Sequence, residues 1–469
     1  MTILDKLREI VGVSHVFEEK EGGKYGSDWT DTYVFTPLAV VRPADTQQVS
    51  EIVKLANAEK ITIVPMSGNT GLAGGTYGQG ALVLSLERLN AIREVRKSSR
   101  VAVVEAGVVL TSLHQAVDEH DLIFPMTFGA RGSAMLGGML STNAGGSNVL
   151  RYGNTRDLCL GLEVVLPSGE IMELMSELHK NNSGYDLKNL MIGAEGTLGV
   201  ITAAVLKLKP KPAAYATAMV ATRSLDEALS LLNSLQVTTG GAVEAFEYMP
   251  AKYLEKYLNV FPNARQPFAQ IYEHNIMVEL GTTVRELSET DGEGKTRLVN
   301  LLESVLAKEF ETERVLDAVV AQNLAQRDEM WARREVAGEV QLSQKPLINN
   351  DVAVPLEKIS EFFEMAKTRL EALDPGIQPL CVAHLGDGNI HYVVWPKSQN
   401  PVVHDEIVET VEEIALSLGG SFSAEHGIGI TKLPSMERRK NPVAMKVMRQ
   451  IKATLDPHNI MNPGKVIPD

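Results

Sequence analysis

Cysteine is scarce in this chain of 469 residues, which contains only Cys159 and Cys381. Two cysteines cannot build a disulfide scaffold, and they are too few for a cysteine-based zinc or iron–sulfur centre. Such low use of cysteine is typical of proteins from a reducing compartment. The composition therefore excludes both kinds of cysteine-dependent fold.

Positive charge and long apolar runs are also limited. Lys and Arg number 45 against 59 Asp and Glu, which gives a formal net charge of −14. This excess argues against a nucleic-acid binder, and it means that an acidic substrate needs a local positive site. No stretch approaches the ~18 apolar residues of a membrane span, and the N-terminus lacks the apolar core of a signal peptide. We expect a cytoplasmic protein, with peripheral attachment to a membrane partner left open.

The length exceeds what one hydrophobic core supports, so two or three domains are expected. Residues 40–208 alternate short β-branched runs with helical periods and glycine-rich loops, after which Pro210 and Pro212 interrupt regular structure. The pattern predicts a chain that mixes helices and strands. The two prolines indicate a domain boundary, so we expect a first domain over residues 1–211.

Two histidines bracket a predicted β-hairpin. His384 and His391 lie on either side of Asp387-Gly388, a pair that is typical of a two-residue hairpin loop. In that register the two histidines are directly opposed on one face, with Cβ atoms roughly 5 Å apart. Cross-strand histidines can simply cover a sheet face, but two imidazoles so placed can also share one metal ion.

A second segment strengthens the functional interpretation of this hairpin. Glu425 and His426 lie in a serine- and glycine-rich stretch, and no other histidine cluster competes among the ten histidines of the chain. Three imidazoles and one carboxylate in two glycine-rich loops therefore predict a functional site.

Three glycine-rich segments, residues 65–75, 129–146 and 192–201, occur in the first predicted domain. Glycine lets backbone N–H groups approach and surround phosphate oxygens without obstruction by side chains. None of the segments is a Walker motif or a convincing dinucleotide-binding fingerprint. Each alone could be a set of tight turns, but three together predict backbone wrapped around an extended, phosphate-bearing cofactor.

The ordered series of motifs resembles a known family. Residues 37–43, 65–75, 132–146, 184–188 and 193–201 resemble the FAD-binding domain of the vanillyl-alcohol-oxidase-type flavoproteins. The resemblance continues through residues 331–335, 384–391, 425–427 and 462–464. These are similar to the FAD-dependent D-2-hydroxyacid dehydrogenases, which include D-lactate and D-2-hydroxyglutarate dehydrogenases and the flavoprotein subunit of glycolate oxidase. The resemblance implies an α+β fold, with a two-lobed FAD-binding domain over residues 1–211 and a mixed α+β substrate (cap) domain with an antiparallel sheet over 212–440. It also implies a C-terminal segment, 441–469, that returns to the FAD-binding domain.

The resemblance also implies the residues that bind FAD. Those implied for the pyrophosphate are Pro65, Ser67, Gly68, Asn69, Thr70, Gly71 and Leu72. Those implied for the flavin are Gly132, Ser133, Gly138, Thr142 and Asn143, with Gly196 and Ile201 for the adenosine half and Asn462 as a further cofactor contact. The first glycine loop has neither His nor Cys, so we expect non-covalent FAD.

The implied reaction is the oxidation of a D-2-hydroxy acid to the 2-oxo acid. His384, His391 and Glu425 would bind a divalent metal, zinc or manganese, which lowers the pKa of the substrate hydroxyl. His426 is the predicted general base, and Arg334 would bind the substrate carboxylate, with Arg333 as a competing neighbour. A surface arginine paired with Glu335 is the plain alternative for Arg334. Electrons would pass to an external quinone, cytochrome or electron-transfer flavoprotein, and a homodimer is left open.

Three departures from the family pattern bear on the substrate. Relatives that act on D-2-hydroxyglutarate usually carry Thr or Ser, Lys and Asn at the positions of Gly338, Asn349 and Val393. Asn349 is a predicted substrate contact, but it lacks the positive charge with which a lysine would bind a second carboxylate. Lys345 or Arg333 could supply that charge instead. We therefore expect a D-lactate-like monocarboxylate, with D-2-hydroxyglutarate as the alternative.

Two other functions remain open at this point. A metal-dependent hydrolase would use the same histidines and glutamate to activate water, but it has no need of three glycine loops. A flavoprotein subunit that is active only inside a complex, of the glycolate oxidase type, is the second. A transferase use of the same fold is a minor alternative.

Overall fold

The computed structural model describes residues 1–18, 23–292 and 294–468. These residues form a four-stranded and a five-stranded sheet in the N-terminal part of the chain, a two-stranded sheet, and one eight-stranded sheet in the C-terminal part. Within the described ranges, no helix combines the length and the apolar composition that crossing a membrane requires.

The first sheet has four strands in the order β1-β2-β4-β3, of which β2, β3 and β4 are parallel and β1 is antiparallel. The strands are β1 (Val16–Glu18), β2 (Ala39–Val41), β3 (Ile63–Met66) and β4 (Leu82–Ser85). Helices α1 (Ile3–Val11) and α2 (Thr46–Glu59) bury their apolar faces against this sheet. The first glycine-rich segment follows β3 directly, as the sequence predicts.

The second sheet has five antiparallel strands in the order β5-β6-β10-β8-β9. The strands are β5 (Ile92–Arg96), β6 (Val101–Glu105), β8 (Cys159–Val165), β9 (Ile171–Leu174) and β10 (Val200–Lys207). The helices of this region are α3 (Leu110–Asp118), α4 (Leu136–Thr142), α5 (Val149–Tyr152) and α6 (Leu187–Met191). A two-stranded pair, β7 (Leu122–Ile123) and β11 (Lys209–Pro210), leads to the third sheet.

The third sheet has eight strands, seven of them in the order β15-β12-β14-β13-β18-β19-β16, while β17 pairs with β19. The first four strands in the chain are β12 (Ala214–Thr222), β13 (Val243–Pro250), β14 (His274–Thr282) and β15 (Val315–Val320). The other four are β16 (Ile348–Ala353), β17 (Gln378–Pro379), β18 (Val382–His384) and β19 (Asn389–Trp395). All of its strand pairs are antiparallel. The predicted α+β class, with an antiparallel sheet in the second part, is therefore confirmed.

Helices pack against both faces of the third sheet. The helices of this region are α7 (Leu225–Thr239), α8 (Ala251–Val260), α9 (Arg285–Ser288), α10 (Arg297–Glu311), α11 (Leu324–Glu335), α12 (Ala337–Leu342), α13 (Ile359–Leu373) and α14 (Pro401–Ser417). Apolar side chains of α7, α10, α13 and α14 form the main core with one face of the strands. Because side chains alternate along a strand, the residues between these core positions point to the opposite face. Apolar side chains of α8, α11 and α12 cover part of that face.

The C-terminal part of the chain returns to the first sheet. After α15 (Leu433–Arg439) and α16 (Pro442–Leu455), Met461 forms a parallel bridge with Ile63 of β3. The amide nitrogen of Asn462 then donates to the Ile63 carbonyl oxygen. This contact places the last turns of the chain beside the first glycine-rich segment.

The hairpin register differs from the prediction. His384 pairs with Asn389, and His391 pairs with Val382, so the loop spans the four residues 385–388 rather than two. The amide nitrogens of Asp387 and Gly388 both donate to the His384 carbonyl oxygen, which closes the longer turn. A shift of two residues keeps both histidines on the same face, because side chains repeat with a period of two.

Candidate active site

The face of the third sheet opposite the main core carries the candidate metal ligands. The His384 and His391 rings lie 5.2 Å apart between centroids, and Glu425 approaches from the loop between α14 and α15. The Glu425 Oε2 atom lies 3.9 Å from His384 Nε2 and 3.8 Å from His391 Nε2. One ligand atom from each of the three residues lies within 4.8 Å of the other two. The structure thus brings the three predicted ligands together.

This set fits a divalent metal in chemistry and in spacing. Two ligands at about 2.1 Å from one tetrahedral ion lie roughly 3.4 Å apart, so the observed separations need only a slight closure. Two imidazoles and one carboxylate also leave coordination positions for a substrate, as a catalytic site requires. A second group with the same spacing, His391, His426 and Asp351, adjoins the first.

Two buried carboxylates lie on the Nδ1 side of the two histidines, and neither carboxylate was predicted. Glu247 of β13 lies directly opposite His384 and accepts a hydrogen bond from its Nδ1 atom at 2.8 Å. Asp351 of β16 lies opposite His391, with its Oδ1 atom 3.6 Å from His391 Nδ1. In both histidines the carboxylate faces Nδ1, and Nε2 is directed to Glu425. Carboxylate partners of this kind orient metal-binding histidines.

Asp351 also positions the segment that contains His426. Its Oδ2 atom accepts the backbone N–H groups of Glu425 and His426, each at 2.8 Å. The His426 ring stacks on that of His391, with centroids 5.3 Å apart. The predicted general base is therefore held against the candidate metal site.

The electrostatics of the site follow from burial and from these neighbours. Burial alone would raise the pKa of Glu247, but His384 and Arg334 hold that pKa below its ordinary value. Burial would likewise raise the pKa of Asp351, and His426, Lys432 and His391 hold it far below the usual range. Both carboxyl groups are therefore charged near neutral pH.

The pKa values of the two hairpin histidines are shifted in opposite directions. Burial, together with the neighbouring His384, lowers the pKa of His391 well below its ordinary value. His391 is therefore neutral at pH 7, which is the form that binds a metal. For His384, burial acts to lower the pKa, but the Glu247 carboxylate raises it above its ordinary value.

Arg334 lies at this site and not on the surface. It is buried near the end of α11, where its Nε atom donates to Glu247 at 2.7 Å and its Nη2 atom lies 3.3 Å from His384 Nε2. Glu335 pairs with Arg131 instead, so the surface alternative for Arg334 is wrong. Arg333 points elsewhere and binds Glu329 and the Arg265 carbonyl oxygen. It is neither a competitor for the substrate carboxylate nor a replacement cation.

The structure also shows the surroundings of the positions that depart from the family pattern. Asn349 pairs with Val393 across β16 and β19, and its side chain is exposed while Val393 is buried. Gly338 is exposed in α12, with open space where a β-carbon would be. Lys345 is exposed as well.

The three glycine-rich segments converge, as a shared cofactor requires. A β-carbon on Gly68 would lie 2.4 Å from the Ser133 carbonyl oxygen, so the first and second segments touch at a position that only glycine fits. A β-carbon on Gly196 would lie 3.2 Å from the Pro65 ring, which joins the first and third segments. The Asn462 Nδ2 atom donates to the carbonyl oxygens of Gly75 and Glu195.

The first glycine segment has the donors that a phosphate needs. Within the described part of the chain, the backbone N–H groups of residues 68–73 donate no hydrogen bond to a protein atom. Such N–H groups, unobstructed by side chains, can surround phosphate oxygens. Thr142 and Asn143 end α4 beside this region, whereas Ile201 is buried in the core of the second sheet. The residues present therefore fit a dinucleotide such as FAD.

A half-buried glutamate joins the third glycine segment to the metal-ligand loop. The Glu195 Oε1 and Oε2 atoms accept the backbone N–H groups of Ile428 and Gly429 at 2.7 and 2.8 Å. A β-carbon on Gly427 would lie 2.7 Å from Glu195 Oε1, so this glycine permits the close approach. The candidate cofactor cradle and the candidate metal site thus share one loop.

Comparisons with known proteins agree with this arrangement. Residues 37–175 match the family described as "FAD binding domain", and residues 211–466 match "FAD linked oxidases, C-terminal domain". The chain belongs to the FAD-linked oxidases. It is therefore an FAD-dependent oxidoreductase, which decides against the hydrolase alternative.

Curated relatives refine the placement of this FAD-linked oxidase. A D-2-hydroxyglutarate dehydrogenase of Xanthomonas citri pv. viticola is 35% identical over 448 residues, which cover 94% of this chain and 92% of the relative. A D-2-hydroxyglutarate dehydrogenase of Stutzerimonas stutzeri is 32% identical over 475 residues, which cover 99% of this chain and 98% of the relative. The predicted membership in the D-2-hydroxyacid dehydrogenase branch is thereby confirmed.

Solved structures confirm the predicted type of fold. p-Cresol methylhydroxylase superposes with a TM-score of 0.74 at 17% identity, covering 99% of this chain and 96% of that chain. The 4-ethylphenol oxidase of Gulosibacter chungangensis gives 0.73 at 18% identity, covering 99% and 97%. At this identity the likeness concerns the fold alone.

Proposed function

We propose that this FAD-linked oxidase oxidises a D-2-hydroxy acid to the 2-oxo acid at the site formed by His384, His391, Glu425, His426 and Arg334. The observation that carries the proposal is the placement of a guanidinium beside three metal-ligand atoms, at a loop shared with the glycine-rich cradle. The names of the relatives, D-2-hydroxyglutarate dehydrogenases, support this substrate class.

Each side chain has a role that follows from its surroundings. His384, His391 and Glu425 would hold zinc or manganese, a Lewis acid that makes the substrate hydroxyl more acidic. His426, stacked on His391, takes the hydroxyl proton, and the Nη2 end of Arg334 binds the substrate carboxylate. When bound, FAD supplies the two-electron oxidant. We assign its cradle to the three glycine-rich segments and Asn462.

We propose a D-lactate-like monocarboxylate as the preferred substrate. The exposed side chain of Asn349 supplies no charge, and its cross-strand neighbour Val393 is apolar. A lysine in place of Asn349 would add a charge-assisted hydrogen bond to a second carboxylate, worth about 1.5–3 kcal/mol. Arg333 cannot replace it, because its guanidinium is bound to Glu329 and Arg265.

D-2-hydroxyglutarate is the second candidate, and the names of the relatives favour it. A panel of D- and L-2-hydroxy acids with an artificial dye acceptor decides between the two. We expect the highest kcat/KM for D-lactate or a slightly larger monocarboxylate. A clear preference for D-2-hydroxyglutarate would overturn the monocarboxylate proposal, and turnover of L-isomers alone would overturn the proposed stereochemistry.

The cofactors are tested separately. Acid precipitation should release free FAD, because the first glycine segment offers no His or Cys for a covalent bond. EDTA should abolish turnover, and His384→Ala or His391→Ala should do the same while the protein stays yellow. Full activity after removal of all metal would show that the hairpin histidines are structural.

The remaining assignments are proposals as well. We propose the domain division at residues 211 and 440, a cytoplasmic location, and a quinone, cytochrome or electron-transfer flavoprotein as acceptor, with a homodimer still to be tested. Dye-linked turnover by the isolated chain would argue against a subunit that works only inside a glycolate-oxidase-type complex. Cell fractionation and sedimentation test the location and the oligomeric state.

A further inference from the structure

Glu247 contacts two residues that have different roles in the proposed function. It is fully buried in β13, and its Oε1 atom accepts from His384 Nδ1 at 2.8 Å. Its Oε2 atom accepts from Arg334 Nε at 2.7 Å. One carboxylate therefore holds both a candidate metal ligand and the candidate anchor of the substrate carboxylate.

This arrangement determines which nitrogen of His384 is available. Because the Glu247 carboxylate accepts at Nδ1, that nitrogen carries the hydrogen, and Nε2 of the neutral ring keeps its lone pair. Nε2 is directed to Glu425 Oε2 at 3.9 Å, and it also lies 3.3 Å from Arg334 Nη2. A metal ion and the Arg334 donor therefore compete for the same lone pair.

We propose that Glu247 is a positioning residue that links metal binding to recognition of the substrate carboxylate. It fixes His384 so that Nε2 faces the metal, and it keeps Arg334 beside the same atom through Nε. A metal ion at Nε2 displaces the Nη2 donor, which is then available to the substrate carboxylate, while Nε stays bound to Glu247. The substrate part of this inference rests on the proposed function, but the metal part does not.

The chain offers a matched control on the same helix and sheet face. Glu279 of β14 is also buried, and it accepts Nε and Nη2 of Arg327 at 2.6 and 2.7 Å. Arg327 precedes Arg334 by two turns of α11. The Glu279 pair borders an adjacent cavity of about 590 Å³ and contacts none of the candidate metal ligands. Glu279→Gln therefore removes a similar buried ion pair without touching the site.

The test measures zinc affinity of FAD-loaded protein by competition with a chromophoric chelator. Glu247→Gln should bind zinc 10- to 100-fold more weakly than the wild type, as expected when the partner of a metal-binding histidine is lost. Glu279→Gln should stay within about twofold of the wild type. At saturating zinc, Glu247→Gln should also raise KM for D-lactate, because Arg334 loses its anchor.

A substitution of the arginine should act in the opposite direction. Arg334→Met removes the donor that competes for His384 Nε2, so it should bind zinc more tightly than the wild type. Arg327→Met, the matched control, should leave zinc affinity unchanged. Weaker zinc binding in Arg334→Met would overturn the competition between the metal and the guanidinium.

Zinc binding by Glu247→Gln as tight as that of Glu279→Gln would overturn the positioning role. If Glu247→Gln fails to retain FAD or to unfold cooperatively, Glu247→Asp replaces it, since the shorter side chain keeps the charge but cannot reach both partners. Wild-type zinc affinity in Glu247→Asp would then contradict the proposal. A further outcome separates the two proposals. If the wild type oxidises no D-2-hydroxy acid but Glu247→Gln still binds zinc more weakly, the proposed function is disproved and the role of Glu247 toward the metal stands.

Discussion

At the scale of single residues, the site depends on buried carboxylates that take no direct part in binding substrate. Asp351 accepts the backbone N–H groups of Glu425 and His426, and its Oδ1 atom accepts from Asn389 Nδ2 at 2.8 Å. Four acceptor positions on one carboxylate suit this many donors. Asp351 thus fixes the loop that carries one candidate ligand and the candidate base.

Asp351→Asn should destabilise the protein by about 3–5 kcal/mol at pH 7, because the amide NH₂ group would face backbone donors at a fully buried position. The folded-state pKa of Asp351 is held below its unfolded value, so its contribution is present above about pH 4 and is lost as the pH falls further. Urea unfolding at pH 7 and at pH 3.5 measures both effects. The difference between wild type and variant should narrow at the lower pH, and a difference that widened would contradict the assignment.

The sequence allowed the candidate ligands to be predicted but not their supports. His384, His391 and Glu425 stand in short, unusual segments, and the clustering of histidines there was visible without a structure. Glu247 stands in a mostly apolar strand, 137 residues before His384, and only the pairing of β13 with β18 brings the two together. Acidic residues in a mostly apolar strand are a signal, but this signal does not distinguish Glu247 from Glu244 of the same strand, which binds Arg151 instead.

At the scale of elements, most helices and strands follow local patterns, and the hairpin shows where such patterns fail. The helical period of the apolar residues Val49, Ile52, Val53 and Ala56 coincides with α2, and the apolar run that begins at Val101 coincides with β6. The Asp-Gly pair correctly marked the turn at residues 387–388, but the loop length was wrong. Register depends on contacts outside the hairpin, here the packing of the loop against residue 354.

Gly388→Ala should destabilise the hairpin by more than an alanine loses by adopting a positive φ angle, because its β-carbon would also clash with a neighbouring carbonyl oxygen. Gly388 has φ +84°, and a β-carbon there would lie 2.2 Å from the Val354 carbonyl oxygen. Gly240→Ala is the control, because Gly240 has φ +62° with nothing within 4 Å, so that it costs only about 1–2 kcal/mol. Thermal unfolding and zinc affinity measure the difference. Equal losses in the two variants would show that the close contact with Val354 has no effect.

At the scale of the whole molecule, the C-terminal tail joins the first sheet through buried contacts. Lys465 is buried there, and burial lowers its pKa to about 8. The unfolded chain, with a lysine pKa of about 10.4, then binds more protons than the folded chain between those two values. Between these two pKa values Lys465 loses its proton when the chain folds. This loss costs less as the pH rises, so the free energy of unfolding should increase with pH across that window.

Lys465→Met should remove this contribution to the pH dependence. Denaturant unfolding at pH 7.5, 9 and 10 compares the two proteins, and the difference in slope should reach at most about 1.4 kcal/mol per pH unit. Subtracting the variant from the wild type cancels the other titrating groups. A variant with an unchanged slope would show that Lys465 is charged in the folded protein throughout this range.

The two halves of the site also depend on each other through Glu195. Its carboxylate holds the Ile428 and Gly429 N–H groups, and its backbone carbonyl oxygen accepts from Asn462 Nδ2. Ligands that share such an element influence each other's affinity reciprocally. We therefore expect binding of FAD and binding of the metal to be coupled, because both use the segment that Glu195 fixes.

Glu195→Gln should weaken zinc binding and FAD retention together, since the amide can accept only one of the two backbone N–H groups and turns a donor toward the other. A buried unsatisfied donor costs about 1–3 kcal/mol, which corresponds to roughly 5- to 150-fold in affinity. Glu335→Gln is the control: it breaks the half-exposed pair with Arg131, which joins the second glycine-rich segment to α11, and such pairs contribute at most about 1 kcal/mol. Zinc titration and FAD dissociation on both variants make the comparison. Loss of FAD affinity with unchanged zinc affinity in Glu195→Gln would show that the two sites are independent.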